Sequence, residues 1–355
     1  MEEIAVAVAG YGLAGEVFHA PLIAAARGMR LKAVVTAAPD RVLRARQRFP
    51  GVLVFPTLED LLSARLDLRL LVVATPNHLH LRHALAAMED GVNVVVDKPM
   101  ALSVAEAEQM IAAAERHHLL LSVFQNRRLD DDFLLLQRVV RAGRLGEVHR
   151  LESRFERWRP ELTPGSWREE LTPAEGGGLL LDLGSHLIDQ ALVLFGRPVG
   201  VYAELVSRRG ARAEDDCFVS LAFPGYRYAH LWMSAVAPAL GPRFRLLGDR
   251  AALLTFGLDP QEEQLRSGLR PGAPGFGGRG GDGAEILSLG QSRGQGETIP
   301  FPAGRYADFY SEMAAAISGR GPLPVPPEAG LHVLQVVEAA RASAASGTKV
   351  RLPPG

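Results

Sequence analysis

Apolar residues in the first 125 positions occur in short continuous runs, separated by segments with the periodicity of amphipathic helices. Two of these segments, 39–49 and 104–117, are predicted to be helices, and Ser103 and Glu106 have capping-box spacing at the start of the second. Short apolar runs are typical of strands buried on both faces of a parallel sheet. They therefore predict a doubly wound parallel sheet with strands over residues 4–9, 31–36, 68–75, 93–96 and 119–124.

Beyond residue 145 the pattern changes, and apolar side chains alternate with charged ones. Residues 148–158 show this alternation most clearly, as expected of a strand with one packed and one exposed face. The pattern indicates a second region of α+β class, with a largely antiparallel open sheet and helices on one side. Further strands are predicted over residues 199–207, 217–223, 228–236, 244–247 and 251–256.

The last hundred residues contain a glycine-rich segment and two helical patterns. Residues 268–283 contain eight glycines and too little apolar surface to be ordered by burial, so we predict a mobile loop there. Helices are predicted over 306–318 and 328–345, with a proline-rich turn between them. We expect these C-terminal helices to be able to pack back on the first domain.

The composition is that of a soluble protein and excludes several classes of partner. The chain of 355 residues carries 39 basic and 40 acidic side chains, so electrostatics give no reason to expect nucleic acid or an acidic membrane surface. No apolar run approaches the roughly 18 residues that span a bilayer, and the acidic start predicts no signal peptide. The single Cys217 excludes an intrachain disulfide and fits a reducing compartment. We therefore expect a cytoplasmic location.

The first predicted strand leads directly into three glycines in G-x-G-x-x-G spacing. After a buried strand, this spacing is typical of a dinucleotide-binding turn. Gly12 lets a pyrophosphate approach the backbone, and Gly15 lets the following helix pack closely on the sheet. The anion is then bound by N–H groups at the positive end of the helix. The residues predicted to contact the cofactor here are Gly10, Gly12, Leu13 and Gly15.

The end of the second strand bears on the choice between NADP and NAD. In NAD enzymes of this type an acidic side chain there binds the ribose 2′-hydroxyl, but residues 31–39 contain none. Thr36 offers a hydroxyl, and Arg41 and Arg44 supply cations at the start of the next helix. We therefore expect NADP rather than NAD, with Thr36 and Arg41 in the site. The alternative is that both arginines face solvent and that Asp40 binds the ribose of NAD.

A polar run, residues 75–80, follows the third predicted strand. Ligands bind beyond the carboxyl ends of parallel strands, so this run is expected to face the cofactor. The alternative is a plain turn in which Asn77 caps the next helix. A metal site is not expected, because no carboxylate or thiolate ligands are grouped around His78 and His80. The residues assigned to the cofactor are Thr75, Pro76, Asn77 and His80.

The fourth predicted strand leads into Asp97-Lys98-Pro99. A lysine beside a nicotinamide can hydrogen-bond a substrate hydroxyl and stabilise the alkoxide that forms as hydride leaves. We therefore assign Lys98 to both the catalytic and the cofactor site, and Asp97 to the cofactor site. The alternative is a solvated Asp–Lys pair that contributes little to stability.

A third group of polar residues lies on the apolar segment 176–189, which begins with three glycines. If this segment is helical, Asp182, His186 and Asp189 share one face. Histidine is the natural acid/base near neutral pH, and Asp182 is placed to orient it or to stabilise its charge. The alternative is a structural histidine. Gly184 is expected to permit a close approach of the cofactor or of the strand that carries Lys98.

Six ordered motifs together resemble the Gfo/Idh/MocA family of oxidoreductases along nearly the whole chain. Within that family the chain looks most similar to the NADP-dependent scyllo-inositol dehydrogenases. The motifs are the glycine turn with Phe18-His19-Ala20-Pro21 after it, residues 75–80, Asp97-Lys98-Pro99, Gln125-Asn126-Arg127-Arg128, Trp167-Arg168 and Asp182-x-x-x-His186.

The resemblance implies a Rossmann domain over 1–124 and a substrate-binding domain over 125–355, whose open sheet forms a homodimer or homotetramer. It implies oxidation or reduction of one carbon of a sugar, cyclitol or polyol. The catalytic residues that it implies are Lys98, Asp182 and His186, with His186 as the general acid/base. Asn126 and Arg168 match positions near the substrate, and Asp97 stands where the family usually has Glu.

Two other functions remain open. A non-catalytic dinucleotide-binding regulator would keep the glycine turn but would have no need of Lys98 or of the Asp182 and His186 pair. A hydro-lyase or glycosidase-like enzyme, also known in this family, would use tightly bound NAD for a transient oxidation. Such an enzyme would show no net turnover of free cofactor.

Overall fold

The computed structural model describes residues 3–163, 165, 167–281 and 283–353, without the side chains of Trp167 and Arg168. The strands within these residues are β1 (Ile4–Ala9), β2 (Met29–Val35), β3 (Leu53–Phe55), β4 (Leu70–Val73), β5 (Asn93–Asp97), β6 (Leu121–Phe124), β7 (Val148–Glu156), β8 (Gly200–Val206), β9 (Asp216–Phe223), β10 (Arg227–Ser234), β11 (Phe244–Gly248), β12 (Ala251–Thr255), β13 (Ala284–Ser288), β14 (Glu297–Ile299) and β15 (Val350–Arg351).

The α-helices are α1 (Ala20–Ala25), α2 (Pro39–Arg48), α3 (Leu58–Ser63), α4 (His80–Glu89), α5 (Val104–Arg116), α6 (Asp131–Arg141), α7 (Trp167–Glu170), α8 (Ser185–Phe195), α9 (Gln261–Arg266), α10 (Tyr306–Ile317) and α11 (Pro327–Ser346). π-Helical turns cover Ala14–His19 and Leu180–Gly184, and 3-10 turns cover Asn77–Leu79, Asn126–Leu129 and Pro173–Glu175. Among the helices described, none is both long enough and apolar enough to cross a membrane.

The chain divides into two compact units, each built from several stretches of sequence. The first unit contains the described residues up to Asn126, together with Pro260–Gly277 and Arg305–Leu331. The second contains Arg127–Asp259, Gly278–Gly304 and the described residues from His332 onward. Helix α10 therefore belongs to the first unit, where it packs against α1 and β2.

The first unit is built around a six-stranded parallel sheet. Its strand order is β3-β2-β1-β4-β5-β6, so the order reverses between β1 and β4. All six residues of β1 are buried, which is why a continuous apolar run predicts it. The doubly wound sheet predicted from the sequence is confirmed. The pattern missed β3, because this strand has only three residues and none of them is buried.

Helix α5 begins with a modified form of the predicted capping box. The Ser103 hydroxyl accepts a hydrogen bond from the N–H of Glu106 at 3.2 Å, as predicted. The Glu106 carboxylate accepts from the N–H of Leu102 at 2.9 Å, one residue before the usual partner. Both bonds satisfy backbone donors that would otherwise be unpaired near the start of the helix.

The second unit is built around a mixed, mostly antiparallel sheet. Its strand order is β14-β13-β12-β11-β7-β10-β9-β8-β15, in which β7 and β10 run parallel and the other neighbours antiparallel. Along β10, Ala229, Leu231 and Met233 are buried, whereas His230 and Trp232 between them are partly exposed. The alternation predicted for residues 148–158 is less regular in β7, where the consecutive residues Leu151, Glu152 and Ser153 are all buried. Strand β7 ends at Glu156, two residues before its predicted end, and Trp158 pairs with Val236 only as an isolated bridge.

The glycine-rich segment 268–283 has more packed contacts than its composition predicts. In the second unit, the Arg279 guanidinium binds both carboxylate oxygens of Asp131, at 2.7 and 2.5 Å, and donates to the Phe256 carbonyl at 2.7 Å. In the first unit, Gln264 accepts from the N–H of Gly277 at 2.7 Å. The prediction of a mobile loop is therefore wrong at these positions. Polar contacts hold the segment in place. The low apolar content from which a mobile loop is predicted gives no information about such contacts.

Arg279→Ala is expected to lower the free energy of unfolding by about 3 kcal/mol, because it leaves the Asp131 carboxylate buried without its cation. Asp131 is fully buried. Arg266→Ala is the matched control, since Arg266 and Glu262 form a partly exposed pair one helical turn apart; we expect it to cost less than about 0.5 kcal/mol. Urea unfolding of both variants measures the difference. Equal midpoints would contradict a structural role for the segment.

Candidate functional site

The glycine turn begins at the carboxyl end of β1, beside the ends of β2 and β4. Gly10 has φ +98°, and a Cβ built on it would lie 2.5 Å from the Ala74 carbonyl oxygen. A Cβ on Gly15 would lie 2.0 Å from the Gly10 carbonyl oxygen. Both positions therefore exclude a side chain for reasons internal to the fold. The turn continues into the π-helical turn Ala14–His19.

Gly12 differs from these two glycines, because its surroundings are open. A Cβ built there has a single neighbour within 4 Å, the Nη1 atom of Arg41 at 3.8 Å. Leu13, the next residue, is 44% exposed. The backbone at Gly12 thus forms a cradle that a side chain would fill, which fits the predicted approach of a pyrophosphate. The guanidinium of Arg41 lies at the edge of this cradle.

The residues expected to contact the 2′ position of the cofactor ribose lie around the start of α2. Thr36 follows β2 and is 8% exposed, and its N–H donates to the Phe55 carbonyl at 2.9 Å. Arg44 binds Glu16 through Nε at 2.7 Å and Asp40 through Nη1 at 2.8 Å. Arg44 and Asp40 are thus engaged with each other. Of these charged groups, Arg41 is the one within 4 Å of a Cβ built on Gly12.

The segment after β4 forms a 3-10 turn, Asn77–Leu79, that leads into α4. Asn77 does not cap this helix: α4 follows Leu79, and no side chain caps it. His80 is buried, with Nδ1 2.9 Å from the Pro99 carbonyl oxygen and Nε2 2.9 Å from that of Thr75. Burial lowers the pKa of His80, although both carbonyls favour its protonated form. Thr75, Pro76 and Asn77 are more exposed than His80.

Asp97 and Lys98 lie at the carboxyl end of β5, and a cis peptide bond joins Lys98 to Pro99. The Lys98 N–H donates to Asp97 Oδ1 at 2.8 Å. Burial acts to raise the pKa of Asp97, but the neighbouring His19 ring, whose Nε2 lies 3.8 Å from Oδ1, and the charge of Lys98 outweigh it and lower the pKa. Asp97 is therefore a carboxylate that is held inside the turn.

His19 and Tyr310 are residues beside this turn to which the sequence analysis gives no role. His19 is fully buried, with Nε2 3.8 Å from Asp97 Oδ1 and Nδ1 2.6 Å from the hydroxyl oxygen of Tyr310. In the sequence, His19 appears only in the motif Phe18-His19-Ala20-Pro21 after the glycine turn. That motif supports the family resemblance but does not indicate which residue His19 contacts. Tyr310 lies 291 residues further along the chain, and no local pattern connects the two.

In the second unit, Asp182 and His186 lie on consecutive turns of different kinds. Asp182 is partly exposed in the π-helical turn Leu180–Gly184, and His186 is 5% exposed in the first turn of α8. The segment is helical as predicted, with a π-helical turn that passes directly into α8; one shared face for Asp182, His186 and Asp189 stays a prediction. The close approach at Gly184 is to Met233 on β10: an added Cβ would lie 3.1 Å from its Cε.

Asp189 is committed to an ion pair within the same unit. Arg128 donates to its two carboxylate oxygens, Nε to Oδ2 at 2.7 Å and Nη2 to Oδ1 at 2.6 Å. The next residue, Gln190, donates to the Arg127 carbonyl at 2.9 Å and accepts from Arg243 at 3.0 Å. These contacts fix α8, and with it the position of His186. Of the three polar residues predicted to share one helical face, Asp189 is therefore the one with a structural role.

Asn126 and Arg168 are assigned to the substrate by resemblance alone, and the structure describes only the side chain of Asn126. Asn126 is buried at the start of the 3-10 turn that follows β6. The side chain of Arg168 lies outside the described residues, so its role stays a prediction. Lys98 belongs to the first unit, and Asp182 and His186 belong to the second.

Family comparisons agree with this architecture. Residues 4–125 match the model of an oxidoreductase family described as "NAD-binding Rossmann fold", and residues 137–352 match that family's "C-terminal alpha/beta domain". The two matched models identify an oxidoreductase with a nicotinamide-dinucleotide-binding Rossmann fold, consistent with the glycine turn and the switch in strand order. The chain belongs to the Gfo/Idh/MocA oxidoreductase family.

Several relatives match nearly the whole chain. The scyllo-inositol 2-dehydrogenase (NADP(+)) IolW of Bacillus subtilis is 33% identical over 350 residues, which are 97% of this chain and 94% of the relative. The uncharacterized oxidoreductase YdgJ of Escherichia coli is 37% identical over 338 residues, 95% of each chain. The solved structure of yvaA from Bacillus subtilis has a TM-score of 0.91 at 32% identity, covering 99% of this chain and 100% of the other.

Proposed function

We propose that the protein is an NAD(P)-dependent dehydrogenase or reductase acting on a hydroxyl or keto carbon of a cyclitol, sugar or polyol. The observation that carries this proposal is the placement of Lys98 at a strand end of the same parallel sheet whose first strand leads into the open cradle at Gly12. Similarity to a scyllo-inositol 2-dehydrogenase favours a cyclitol among the possible substrates.

The nicotinamide, when bound, supplies a group that accepts or donates hydride. Lys98 donates a hydrogen bond to the substrate oxygen and stabilises the negative charge that develops there. His186 removes the hydroxyl proton in the oxidative direction and returns it in reduction. Asp182 stabilises the imidazolium that His186 then carries. The ion pair of Arg128 with Asp189 holds α8, so the imidazole does not have to be ordered in each turnover.

A cofactor-retaining enzyme of the hydro-lyase or glycosidase-like type is distinguished by what the purified protein contains. We expect protein that is denatured after gel filtration to release little nicotinamide dinucleotide, because the proposed enzyme exchanges its cofactor in every cycle. Near-stoichiometric NAD in the supernatant would favour the retaining class instead. Cofactor binding without turnover of any substrate would favour the non-catalytic regulator.

We propose that the cofactor is NADP rather than NAD. Support comes from Arg41 beside Gly12, from the lack of an acid over residues 31–39 and from the engagement of Asp40 with Arg44. Similarity to an NADP-dependent relative supports the same choice. A carboxylate near Thr36 would repel a 2′-phosphate, and its absence removes that repulsion.

Thr36→Asp is expected to shift the kcat/KM ratio of NADP to NAD about tenfold toward NAD, equivalent to about 1.4 kcal/mol. Arg41→Ala is expected to weaken the binding of NADP more than that of NAD, because both cofactors place a pyrophosphate near Gly12 and only NADP adds a 2′-phosphate. Arg44→Ala is the matched control and should have a smaller effect, since its guanidinium is already bound by Glu16 and Asp40. Preference of the wild type for NAD would overturn the proposal, as would an unchanged ratio in Thr36→Asp.

We propose that the protein forms a homodimer or homotetramer through the exposed face of its second sheet. That face carries aromatic side chains in contact: the ring centroids of Phe218 and Trp232 are 5.2 Å apart, and those of Phe218 and His230 are 5.9 Å apart. The Arg154 guanidinium lies 4.0 Å from the Trp232 ring centroid. Partly exposed aromatic and arginine side chains are typical of interfaces.

Trp232→Glu is expected to shift the sedimentation coefficient to that of a monomer, because it places a charge in the proposed interface. Leu289→Glu serves as control, since Leu289 is 91% exposed and lies outside this face. An unchanged oligomer in Trp232→Glu, or a monomeric wild type, would contradict this assembly.

A further inference from the structure

The turn that carries Lys98 is held on two sides by buried imidazoles from different segments. His80 lies between the carbonyls of Thr75 and Pro99, as described above. His19 lies on the other side, with its ring against Phe124 at a centroid distance of 4.4 Å. All of these residues belong to the first unit. The role of His80 follows from its two carbonyl partners, whereas His19 contacts two ionisable groups and requires a separate explanation.

The contacts of His19 indicate which of its two ring nitrogens carries the proton. The Tyr310 hydroxyl is fully buried and needs an acceptor, and Nδ1 of His19 lies 2.6 Å away. Burial, followed by the negative charge of Asp97, raises the pKa of the Tyr310 phenol well above its usual value, so the phenol keeps its proton. With Nδ1 as an acceptor, the imidazole N–H lies on Nε2, the nitrogen that faces Asp97 Oδ1 at 3.8 Å.

We propose that Tyr310 and His19 form a buried positioning pair that orients Asp97, and through Asp97 the backbone of Lys98. This proposal rests on the proposed function of Lys98. Asp97 Oδ1 is the oxygen that accepts from the Lys98 N–H. His19 Nε2 lies 3.8 Å from the same oxygen, beyond hydrogen-bond distance but close enough to attract the carboxylate electrostatically. Besides His19, the ionisable groups that act on Asp97 are Lys98 and His80.

The pair places no atom on the substrate, so its loss should reduce kcat with little change in the dissociation constant of the cofactor. Misplacing a catalytic group by less than an ångström can cost an order of magnitude in rate. We expect His19→Leu to lower kcat about tenfold and Tyr310→Phe about threefold. His19→Gln should recover most of the loss, because its amide N–H₂ can occupy the position of Nε2–H.

Tyr306→Phe provides a matched control for Tyr310→Phe. Tyr306 is equally buried, lies on the same helix one turn earlier and loses the same hydroxyl. We expect Tyr306→Phe to keep the wild-type kcat, whatever its effect on the melting temperature. A second control measures Asp97→Asn alone and combined with His19→Leu: the double variant should be no slower than Asp97→Asn alone if His19 acts through Asp97. Equal kcat for the two tyrosine variants would overturn the proposal, as would multiplicative losses in the double variant.

A readout that needs no turnover separates this proposal from the proposed function. We expect ¹⁵N spectra of histidine-labelled protein to show His19 as the Nε2–H tautomer, with the resonance assigned by its disappearance in His19→Gln. In Tyr310→Phe the Nε2–H tautomer should no longer be the predominant form. An Nδ1–H tautomer in the wild type would overturn the positioning pair even if the enzyme is active, and so would a doubly protonated ring. Failure of the wild type to oxidise any polyol would overturn the proposed function, and the tautomer would still test the pair.

Discussion

Replacing Lys98 or His186 by alanine is expected to lower kcat by about 100-fold or more and to leave cofactor affinity nearly unchanged. Lys98 stabilises charge on the substrate oxygen, and His186 transfers the proton, so both contributions arise mainly in the transition state. Asp182→Asn should do less, because Asp182 acts on the imidazole and does not transfer the proton itself. Steady-state kinetics with either cofactor, together with NADPH fluorescence titrations, measure both quantities.

Lys349→Ala and His149→Ala are the matched controls, since both side chains are exposed and neither belongs to the proposed site. Both should keep wild-type kcat. Near-normal turnover in both Lys98→Ala and His186→Ala would remove this site from the reaction. A loss of cofactor binding that equals the loss of kcat would instead indicate that the residues act in binding.

The second large effect is expected at the glycine turn, where two similar substitutions should fail for different reasons. Gly15→Ala places a Cβ 2.0 Å from a backbone oxygen, so we expect a loss of about 2 kcal/mol in the free energy of unfolding as well as weaker cofactor binding. Gly12→Ala meets only Arg41 Nη1 at 3.8 Å. It should keep the stability of the wild type and weaken cofactor binding by at least about tenfold, since its methyl group fills the pyrophosphate cradle.

Thermal unfolding without cofactor and titration with NADPH separate these two outcomes. Equal stability losses in the two variants would show that Gly12 is also needed by the fold. Wild-type cofactor affinity in Gly12→Ala would contradict the placement of the pyrophosphate at this turn.

The first sheet could be predicted from the sequence because its signals are local. Each strand except β3 is an apolar run, and parallel order brings the strand ends that carry Thr36, Thr75 and Lys98 to one edge. Glycine spacing predicts the turn and the different roles of Gly12 and Gly15. It does not identify the atom that excludes a side chain at Gly15, the Gly10 carbonyl oxygen, which is visible only in three dimensions.

The remaining features depend on partners that are distant in sequence. Arg128 and Asp189 are 61 residues apart, and His19 and Tyr310 are 291 residues apart. The periodicity around His186 predicts a helix. It does not predict the π-helical turn before His186, which occurs where Gly184 packs on β10. Arg279 was missed because a glycine-rich composition conceals one well-placed ion pair.

The most direct test of the account is the absorbance at 340 nm of cofactor-free protein mixed with NADP or NAD and a panel of inositols, aldoses and anhydro-ketoses. We expect stoichiometric formation or consumption of reduced cofactor with at least one cyclitol or sugar, with NADP the better cofactor. The rate of this absorbance change should fall about 100-fold in Lys98→Ala and in His186→Ala. No absorbance change with any substrate, from protein that still binds NADPH, would contradict an oxidoreductase acting on these compounds.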